Sequence, residues 1–250
     1  MVAMRGAPVD VSLPDTAEPR PPLEGEALAA FELACLVTSR IYLGVGVPRG
    51  NGRSVLVLPG FLGNDDYLLP LRGWLSRIGY TPRASGVVFN FGTPSSLLAG
   101  VLRRAEYLAT RDSRRLIVIG HSLGGVFARG LAVLRPDLVA HAITLGSPMS
   151  RNARAASHPM VANLSDLLLS EANGTHAIDV LADSVLGVAL PEDVRLTSLY
   201  SRRDAVVNWR ACIDTDPQSA SIEVASTHTG FPWNVQVYHQ LGMLLASTGP

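Results

Sequence analysis

A glycine-flanked serine between an apolar run and a helical segment constrains this chain more than any other feature. The apolar residues 116–119 lead directly into residues 120–124, which read Gly-His-Ser-Leu-Gly. The larger apolar residues of 125–134 then recur at helical spacing until Pro136, so the pattern predicts a strand, a sharp turn and a helix. Glycines flank Ser122 because such a turn brings backbone segments too close together for a Cβ atom. Ser122 is therefore predicted to be a nucleophile raised above a sheet, or else a serine that only caps a buried helix.

Apolar runs and helical patterns alternate along most of the chain. Strands are predicted at 54–58, 86–91, 116–119, 139–145, 194–200 and 221–225, and helices at 24–42, 67–78, 94–110, 125–134 and 234–246. Strands that alternate with helices are typical of a parallel sheet covered on both faces. The expected fold class is therefore α/β, with a mostly parallel central sheet and helices on both faces.

Length and proline content predict the domain organisation. A chain of 250 residues with 47% hydrophobic content can bury one substantial core. Residues 1–24 hold five prolines and predict an extended arm, whereas residues 25–250 form one domain. The segment from about 149 to 193 is longer than a strand crossover needs. It predicts a helical cap insertion over an acyl pocket, or helices that only extend the outer layer.

Composition excludes several classes of partner. The formal net charge is +0, and the sequence contains no block of basic residues of the kind that binds along a phosphate backbone, so nucleic acid is not an expected partner. Cys35 and Cys212 form no C-x-x-C pair, and neither a metal site nor an organic cofactor is expected. No secretory signal and no transmembrane segment is recognisable, which predicts a cytoplasmic protein. Transient contact with a membrane surface and the oligomeric state stay open.

A nucleophilic serine needs two partner side chains. An imidazole must accept its proton, and a carboxylate must orient that imidazole. Asp204 follows the strand 194–200 by a short polar turn, and His228 lies between the last predicted strand and the final helix. Both are predicted to lie on loops at the carboxyl end of the sheet, beside Ser122.

The other acidic and histidine residues have simpler explanations. They fall in the insertion, before or within a strand, in a polar loop that reads as a solvated turn, or on the final helix; His121 belongs to the turn itself. The residues set aside on these grounds are Asp179, Asp183, Asp193, Asp214, Asp216, His141, His158, His176 and His239.

Acyl transfer at a serine also needs two backbone N–H groups directed at the developing negative charge. Leu123 follows the serine and supplies one of them. Residues 59–63, Pro-Gly-Phe-Leu-Gly, follow an early strand and predict the second, with Phe61 as the donor and Leu62 as the alternative. An ordinary Gly/Pro turn is the competing interpretation. Leu62, Phe231 and Trp233 are candidates to line an acyl pocket, although core packing would also explain them.

With these motifs in place, the chain resembles the α/β-hydrolase superfamily, and within it the bacterial lipase-like serine esterases. The resemblance covers about residues 54–247 and rests on residues 59–63, 120–124 and 227–230. It implies the α/β-hydrolase fold, a triad of Ser122, Asp204 and His228, and oxyanion donors at Phe61 and Leu123. Many lipases carry His-Gly where this chain has Pro59-Gly60, a difference that leaves the backbone donor available.

The resemblance implies hydrolysis of carboxylic esters through an acyl-enzyme, with a small-molecule ester or lipid as substrate and no cofactor. Acyl transfer to an alcohol or thiol, or hydrolysis of a lactone, thioester or amide, would use the same residues. A non-catalytic binding module built on the hydrolase fold is the alternative from another class.

Overall fold

A parallel β-sheet forms the centre of the molecule. The computed structural model describes residues 20–87, 93–150, 153–169 and 185–249. Its strands are β1 (Ser54–Leu58), β2 (Thr81–Ala84), β3 (Leu116–His121), β4 (Val139–Leu145), β5 (Arg195–Tyr200) and β6 (Ser219–Glu223). These described strands lie in the order β2-β1-β3-β4-β5-β6, and every neighbouring pair is parallel. The parallel sheet predicted from the sequence is confirmed.

Helices cover both faces of this sheet. They are α1 (Ala29–Val37), α2 (Leu69–Arg77), α3 (Pro94–Asp112), α4 (Leu123–Leu134), α5 (Ala153–Ala156), α6 (Pro159–Leu168) and α7 (Val235–Ser247), with 3-10 helices over Leu23–Leu28, Trp209–Cys212 and Phe231–Trp233. Successive strand side chains point to opposite faces. Leu56 and Leu58 of β1 therefore pack with α3 and α4, whereas Val55 and Val57 pack with α1, α2 and α7.

The strand order reverses at β1, and this reversal determines where a site can lie. β2 pairs with one side of β1 and β3 pairs with the other side. The loops that leave β1 and β3 therefore diverge, and in parallel sheets the resulting crevice is where ligands bind. Residues 59–63 follow β1, and residues 120–124 span the end of β3 and the start of α4, so the two motifs found in the sequence flank this crevice.

The two edge strands of the described sheet, β2 and β6, begin before the spans that the sequence pattern marks as strands. β2 occupies Thr81–Ala84, where the sequence pattern predicts no strand, and residues 88–91 of the predicted strand 86–91 lie outside the described residues. β6 begins at Ser219 instead of residue 221. An edge strand has a neighbour on one side only, so it tolerates polar residues and proline, and hydrophobicity locates it poorly.

The leading helix ends sooner than its apolar pattern suggests. The predicted span 24–42 is divided into the 3-10 helix at Leu23–Leu28 and α1, which ends at Val37. The Thr38 hydroxyl donates to the backbone carbonyls of Ala34 and Cys35, a local bond that competes with the helical ladder. Residues 1–19 of the predicted arm lie outside the described residues.

The insertion packs partly against the outer layer. α6 begins at Pro159 within the insertion, and residues 170–184 lie outside the described residues. At the end of the insertion, Val185 and Leu190 are buried in the same core as α4. This end of the insertion therefore packs against the helical layer that contains α4.

A buried arginine joins α4 to the end of the insertion. Arg129 donates from Nε to Asp214 at 2.6 Å and from Nη1 to the carbonyl of Val185 at 2.7 Å. The Arg129 and Asp214 side chains are only 2% and 5% exposed. Asp214 therefore does not lie in a solvated turn, as its polar sequence context suggested, because the chain folds it beneath α4.

Replacing Asp214 with asparagine should destabilise the protein strongly. The Asp214→Asn variant leaves the Arg129 charge buried without its counter-ion, and we expect the free energy of unfolding to fall by about 3–5 kcal/mol. Asp193 is the matched control, since its carboxylate is 68% exposed and pairs with Arg115. Asp193→Asn should change the stability by less than about 1 kcal/mol. Urea unfolding at equilibrium measures both, and similar small losses would contradict the prediction.

Candidate active site

Ser122 lies in a strained backbone conformation between β3 and α4. Its φ of 52° and ψ of −122° are rarely adopted by a residue with a side chain. Its N–H donates to the carbonyl of Leu145 at 2.9 Å, and its own carbonyl accepts from the N–H of Gly125 at 2.9 Å. These bonds hold the residue at the carboxyl end of the sheet, where Ser122 remains partly exposed.

The glycines around Ser122 permit a close approach of backbone segments. A Cβ atom at Gly124 would lie 2.6 Å from the carbonyl oxygen of Pro59, and nearer still to that of Leu58. A Cβ atom at Gly60 would lie 3.1 Å from the Cβ of Ser122. The first turn of α4 is therefore pressed against residues 59–63, which we call the β1 loop.

The β1 loop contains a second strained residue. The N–H of Gly63 donates to the carbonyl of Gly60 at 2.9 Å, which closes a β-turn. Leu62 occupies the third position of this turn with a φ of 59°, the backbone of a type II turn, in which glycine is usual. The turn holds both predicted donors, Phe61 and Leu62, next to Gly60 and therefore close to Ser122.

Asp204 and His228 form a buried pair on neighbouring loops. We call residues 201–208, after β5, the acid loop, and residues 224–230, after β6, the base loop. His228 Nδ1 lies 2.7 Å from Asp204 Oδ2, and the other carboxylate oxygen accepts from the N–H groups of Val206 and Val207 at 2.8 and 2.7 Å. Since Nδ1–H donates to the carboxylate, Nε2 is the nitrogen that can accept a proton.

Electrostatics favour the protonated form of His228. Burial acts to lower the pKa of this imidazole, but the charge and hydrogen bond of Asp204 and the charge of Glu26 outweigh it. The pKa of His228 is therefore raised above its ordinary value. A buried serine of the acid loop also connects the two loops, because Ser201 Oγ donates to the carbonyl of Ser226 at 2.6 Å and accepts from its N–H at 3.1 Å.

A chain of hydrogen bonds connects the β1 loop to the base loop through His121. The Gly60 N–H donates to Tyr67 Oη at 2.7 Å, the Tyr67 hydroxyl donates to His121 Nδ1 at 2.9 Å, and His121 Nε2–H donates to the carbonyl of His228 at 2.9 Å. The carbonyl can only accept, so it places the proton of His121 on Nε2. Burial and the positive charge of His228 lower the pKa of His121 to about 3, which keeps its ring neutral. Sequence reasoning did not single out Tyr67.

The candidate pocket residues differ in exposure. Phe231 is fully buried in the core shared with α2 and α7, which makes it a packing residue rather than part of a pocket wall. Trp233 is partly buried, and its indole N–H donates to the carbonyl of Tyr67 at 3.0 Å. Leu62 is 41% exposed. Of the candidates, Leu62 and Trp233 can still contact a ligand.

Two of the histidines set aside as alternatives have partners of their own. His141 is buried between the hydroxyls of Thr197 and Thr248, and His158 caps α6. Asp179, Asp183 and His176 lie outside the described residues.

Within the described ranges, no three His, Cys, Asp or Glu side chains are grouped closely enough to hold a metal ion. No helix among those residues has the length and apolar character needed to cross a membrane.

The chain is similar to a known family and to several solved structures. A family model described as the PGAP1-like alpha/beta domain matches residues 100–230. No curated protein sequence matches the chain. The monoacylglycerol lipase of Paleococcus ferrophilus superimposes with a TM-score of 0.59 at 13% identity, over 81% of this chain and 97% of that chain. A lipase of Bacillus licheniformis gives 0.59 at 13% identity, over 80% and 95%.

A third structure, an esterase of a Rhodococcus species, gives a TM-score of 0.56 at 16% identity, over 80% of this chain and 94% of that chain. All three superpositions cover nearly the whole of the other chain. At these identities the likeness concerns the fold. Together with the parallel sheet, it establishes that this chain has the α/β-hydrolase fold expected from its sequence.

Adding one methyl group at Gly124 should disrupt the contact between α4 and the β1 loop. Gly124→Ala forces two backbone carbonyls apart, so we expect a loss of several kcal/mol in the free energy of unfolding, on the order of 3 kcal/mol. Gly73, exposed within α2, has no atom within 4 Å of its ideal Cβ position. Gly73→Ala should stabilise the protein by about 0.5–1 kcal/mol, because alanine loses less backbone entropy. Thermal and urea unfolding of the pair test this, and equal stabilities would refute it.

Proposed function

Because the chain belongs to the PGAP1-like α/β domain family, we propose that it is a serine hydrolase that cleaves carboxylic esters through an acyl-enzyme. One arrangement of residues carries the proposal. The strained Ser122 lies at the reversal point of the sheet, close to the β1 loop, and the buried His228–Asp204 pair lies on the base and acid loops, which follow β6 and β5. Strained backbone at a carboxyl-edge crevice is typical of functional sites.

The reaction follows from the protonation states of these groups. His228 Nε2 takes the proton of the Ser122 hydroxyl as Oγ bonds to the ester carbonyl carbon. The resulting tetrahedral intermediate breaks its bond to the alkoxy oxygen, which leaves as the alcohol with the proton from His228. Water then attacks the acyl-enzyme with the same proton transfers and releases the carboxylic acid.

Asp204 keeps the imidazole oriented and balances its charge. Its Oδ1 is held by the N–H groups of Val206 and Val207, so the carboxylate presents Oδ2 to His228 in a fixed direction. When His228 gains the serine proton, the resulting positive charge lies beside this buried carboxylate. The raised pKa of His228 reflects the same interaction.

Two backbone groups would stabilise the oxyanion. Leu123 is the first residue of α4, so its N–H has no acceptor within the helix and lies at the positive end of the helix dipole. The second donor comes from the β1 loop, at Phe61 or alternatively at Leu62. Donors fixed before the reaction stabilise the transition state without a cost of reorganisation.

Exposed apolar side chains near the acid loop support a substrate with an apolar acyl group, which these side chains would contact. Met160, Leu164 and Leu167 are 57%, 37% and 76% exposed and share one face of α6 by their spacing. α6 begins beside the acid loop, where the His158 N–H donates to the carbonyl of Val206 at 2.6 Å. In this proposal the insertion 149–193 acts as a cap whose apolar face contacts a lipid or other ester.

Removal of the Ser122 hydroxyl should abolish ester hydrolysis. p-Nitrophenyl esters from acetyl to palmitoyl are offered to the native chain and to Ser122→Ala, and we expect kcat/KM to fall at least about 10⁴-fold. Ser76→Ala, at an exposed position of α2, is the matched control and should retain the native rate. Circular dichroism verifies that all three proteins are folded.

The outcomes of this assay separate the alternative functions. Hydrolysis by the native chain and by Ser76→Ala, but not by Ser122→Ala, supports the proposal. The dependence of this hydrolysis on acyl length identifies the preferred substrate class. Formation of a new ester when alcohols are added would instead assign an acyltransferase. A folded native chain that cleaves none of these esters would contradict the proposal.

The pH dependence of the reaction should follow His228. Only neutral His228 can accept the serine proton, so kcat/KM rises with pH as His228 loses its own proton. Because the pKa of His228 is raised, the midpoint of this rise should lie above the value of about 6.5 for an ordinary histidine. His121, with a pKa of about 3, is neutral across this range and adds no second step. A midpoint below that of an ordinary histidine would contradict this prediction.

A further inference from the structure

A carboxylate from the N-terminal 3-10 helix connects the acid and base loops. Glu26 Oε1 accepts from the backbone N–H of Ala205 at 3.1 Å and from that of His228 at 3.0 Å, while Oε2 accepts from Thr229 at 2.8 Å. Ala205 directly follows Asp204. One carboxylate therefore joins the main chain beside the acid to the main chain of the base itself.

An ionised carboxylate suits this position better than a neutral side chain. Three N–H donors converge on Glu26, and hydrogen bonds to an ionised acceptor are shorter and stronger than those between neutral groups. A glutamine of the same size would place an NH₂ group against at least one of these donors. The interaction thus depends on the charge and the two acceptor oxygens of Glu26.

A second carboxylate on the adjoining helix supports the same loop. Glu32 of α1 accepts from the Thr227 N–H at 3.2 Å, from the Thr227 hydroxyl at 2.7 Å and from the Asn234 side-chain amide at 2.9 Å. Three consecutive N–H groups of the base loop, at residues 227–229, are therefore received by side chains of the N-terminal helices. α1 is itself anchored in the core by Leu36, which is fully buried.

We propose that Glu26 is a positioning residue for the proposed hydrolysis, holding the imidazole of His228 in register with Asp204 and Ser122 by fixing the backbones of both loops. This inference rests on the proposed function of Ser122. Ser201 joins the same loops at Ser226, two residues before His228, whereas Glu26 binds the N–H of His228 directly. Rotation of the base loop about the Ser201 contact is thereby prevented.

The charged and titratable groups around His228 define what a change at Glu26 should do. Asp204 is hydrogen-bonded to the ring, and the ring centroid of neutral His121 lies 5.0 Å from that of His228. The positive charge of Arg20 attracts the negative charge of Asp204. Glu26 adds a second negative charge that raises the pKa of His228. Removing this charge should therefore move the acidic limb of kcat/KM to lower pH.

The test compares three variants in the full chain. Glu26→Gln should lower kcat for p-nitrophenyl ester hydrolysis by about 10- to 100-fold with little change in KM, because a small displacement of a reacting group costs rate rather than binding. Its acidic limb should shift to lower pH. Glu24→Gln, an exposed carboxylate on the same 3-10 helix, is the matched control and should match the native chain in both respects.

Glu26→Asp separates position from charge and replaces the glutamine variant if that variant does not fold. Aspartate retains the charge but is one methylene shorter, so kcat should fall while the acidic limb stays near its native pH. Circular dichroism and melting temperature establish folding for every variant. Native kcat and an unshifted acidic limb in both folded variants would overturn the inference.

A measurement that needs no turnover keeps this test independent of the proposed function. NMR titration of the His228 imidazole should give a lower pKa in Glu26→Gln than in the native chain and in Glu24→Gln. If the native chain hydrolyses no ester, the proposed function fails. An unchanged titration of His228 in Glu26→Gln overturns the inference whether or not any ester is hydrolysed.

Discussion

The backbone contact between the first turn of α4 and the β1 loop determines where the remaining groups of the site can lie. Gly124 packs on the carbonyls of Leu58 and Pro59, and Gly60 approaches the Cβ of Ser122. Neither approach leaves room for a further side chain. Because β1 and β3 are adjacent and parallel, this contact holds the serine and the predicted oxyanion donors at the same end of the sheet. The strain at Ser122 and Leu62 persists because two buried cores, one on each face, support the strands beneath them.

Buried polar bonds supply the precision that apolar packing alone does not. The chain from Gly60 through Tyr67 and His121 to the carbonyl of His228 fixes the base loop relative to the β1 loop. Each member is satisfied: burial raises the pKa of Tyr67, so its hydroxyl keeps the proton that it donates, and His121 stays neutral. A fully satisfied buried network specifies one arrangement, since any displacement would leave a polar group without its partner.

Local sequence signals predicted the central part of the fold and the candidate residues, and they failed where the information is not local. The apolar runs at β1, β3 and β4 mark strands buried on both faces, whereas the polar edge strands β2 and β6 carry no such signal. Asp204 and His228 could be proposed because loops at the carboxyl ends of parallel strands converge; their catalytic roles stay predictions. Tyr67 and Glu26 could not be found this way, because their contacts with His121 and His228 span 54 and 202 residues of sequence.

The position of the base loop explains why the N-terminal helices matter to this site. β6 is the last strand of the described sheet, and its side chains are mostly exposed, so the loop that follows it has sheet neighbours on one side only. A histidine carried by such a loop would move with the edge strand unless another segment filled the open side. The 3-10 helix and α1 fill it, and they do so with two carboxylates rather than with apolar groups because what the loop presents there is backbone N–H. The same choice places negative charge near His228, so the structural support of the loop and the basicity of the imidazole depend on one side chain, Glu26.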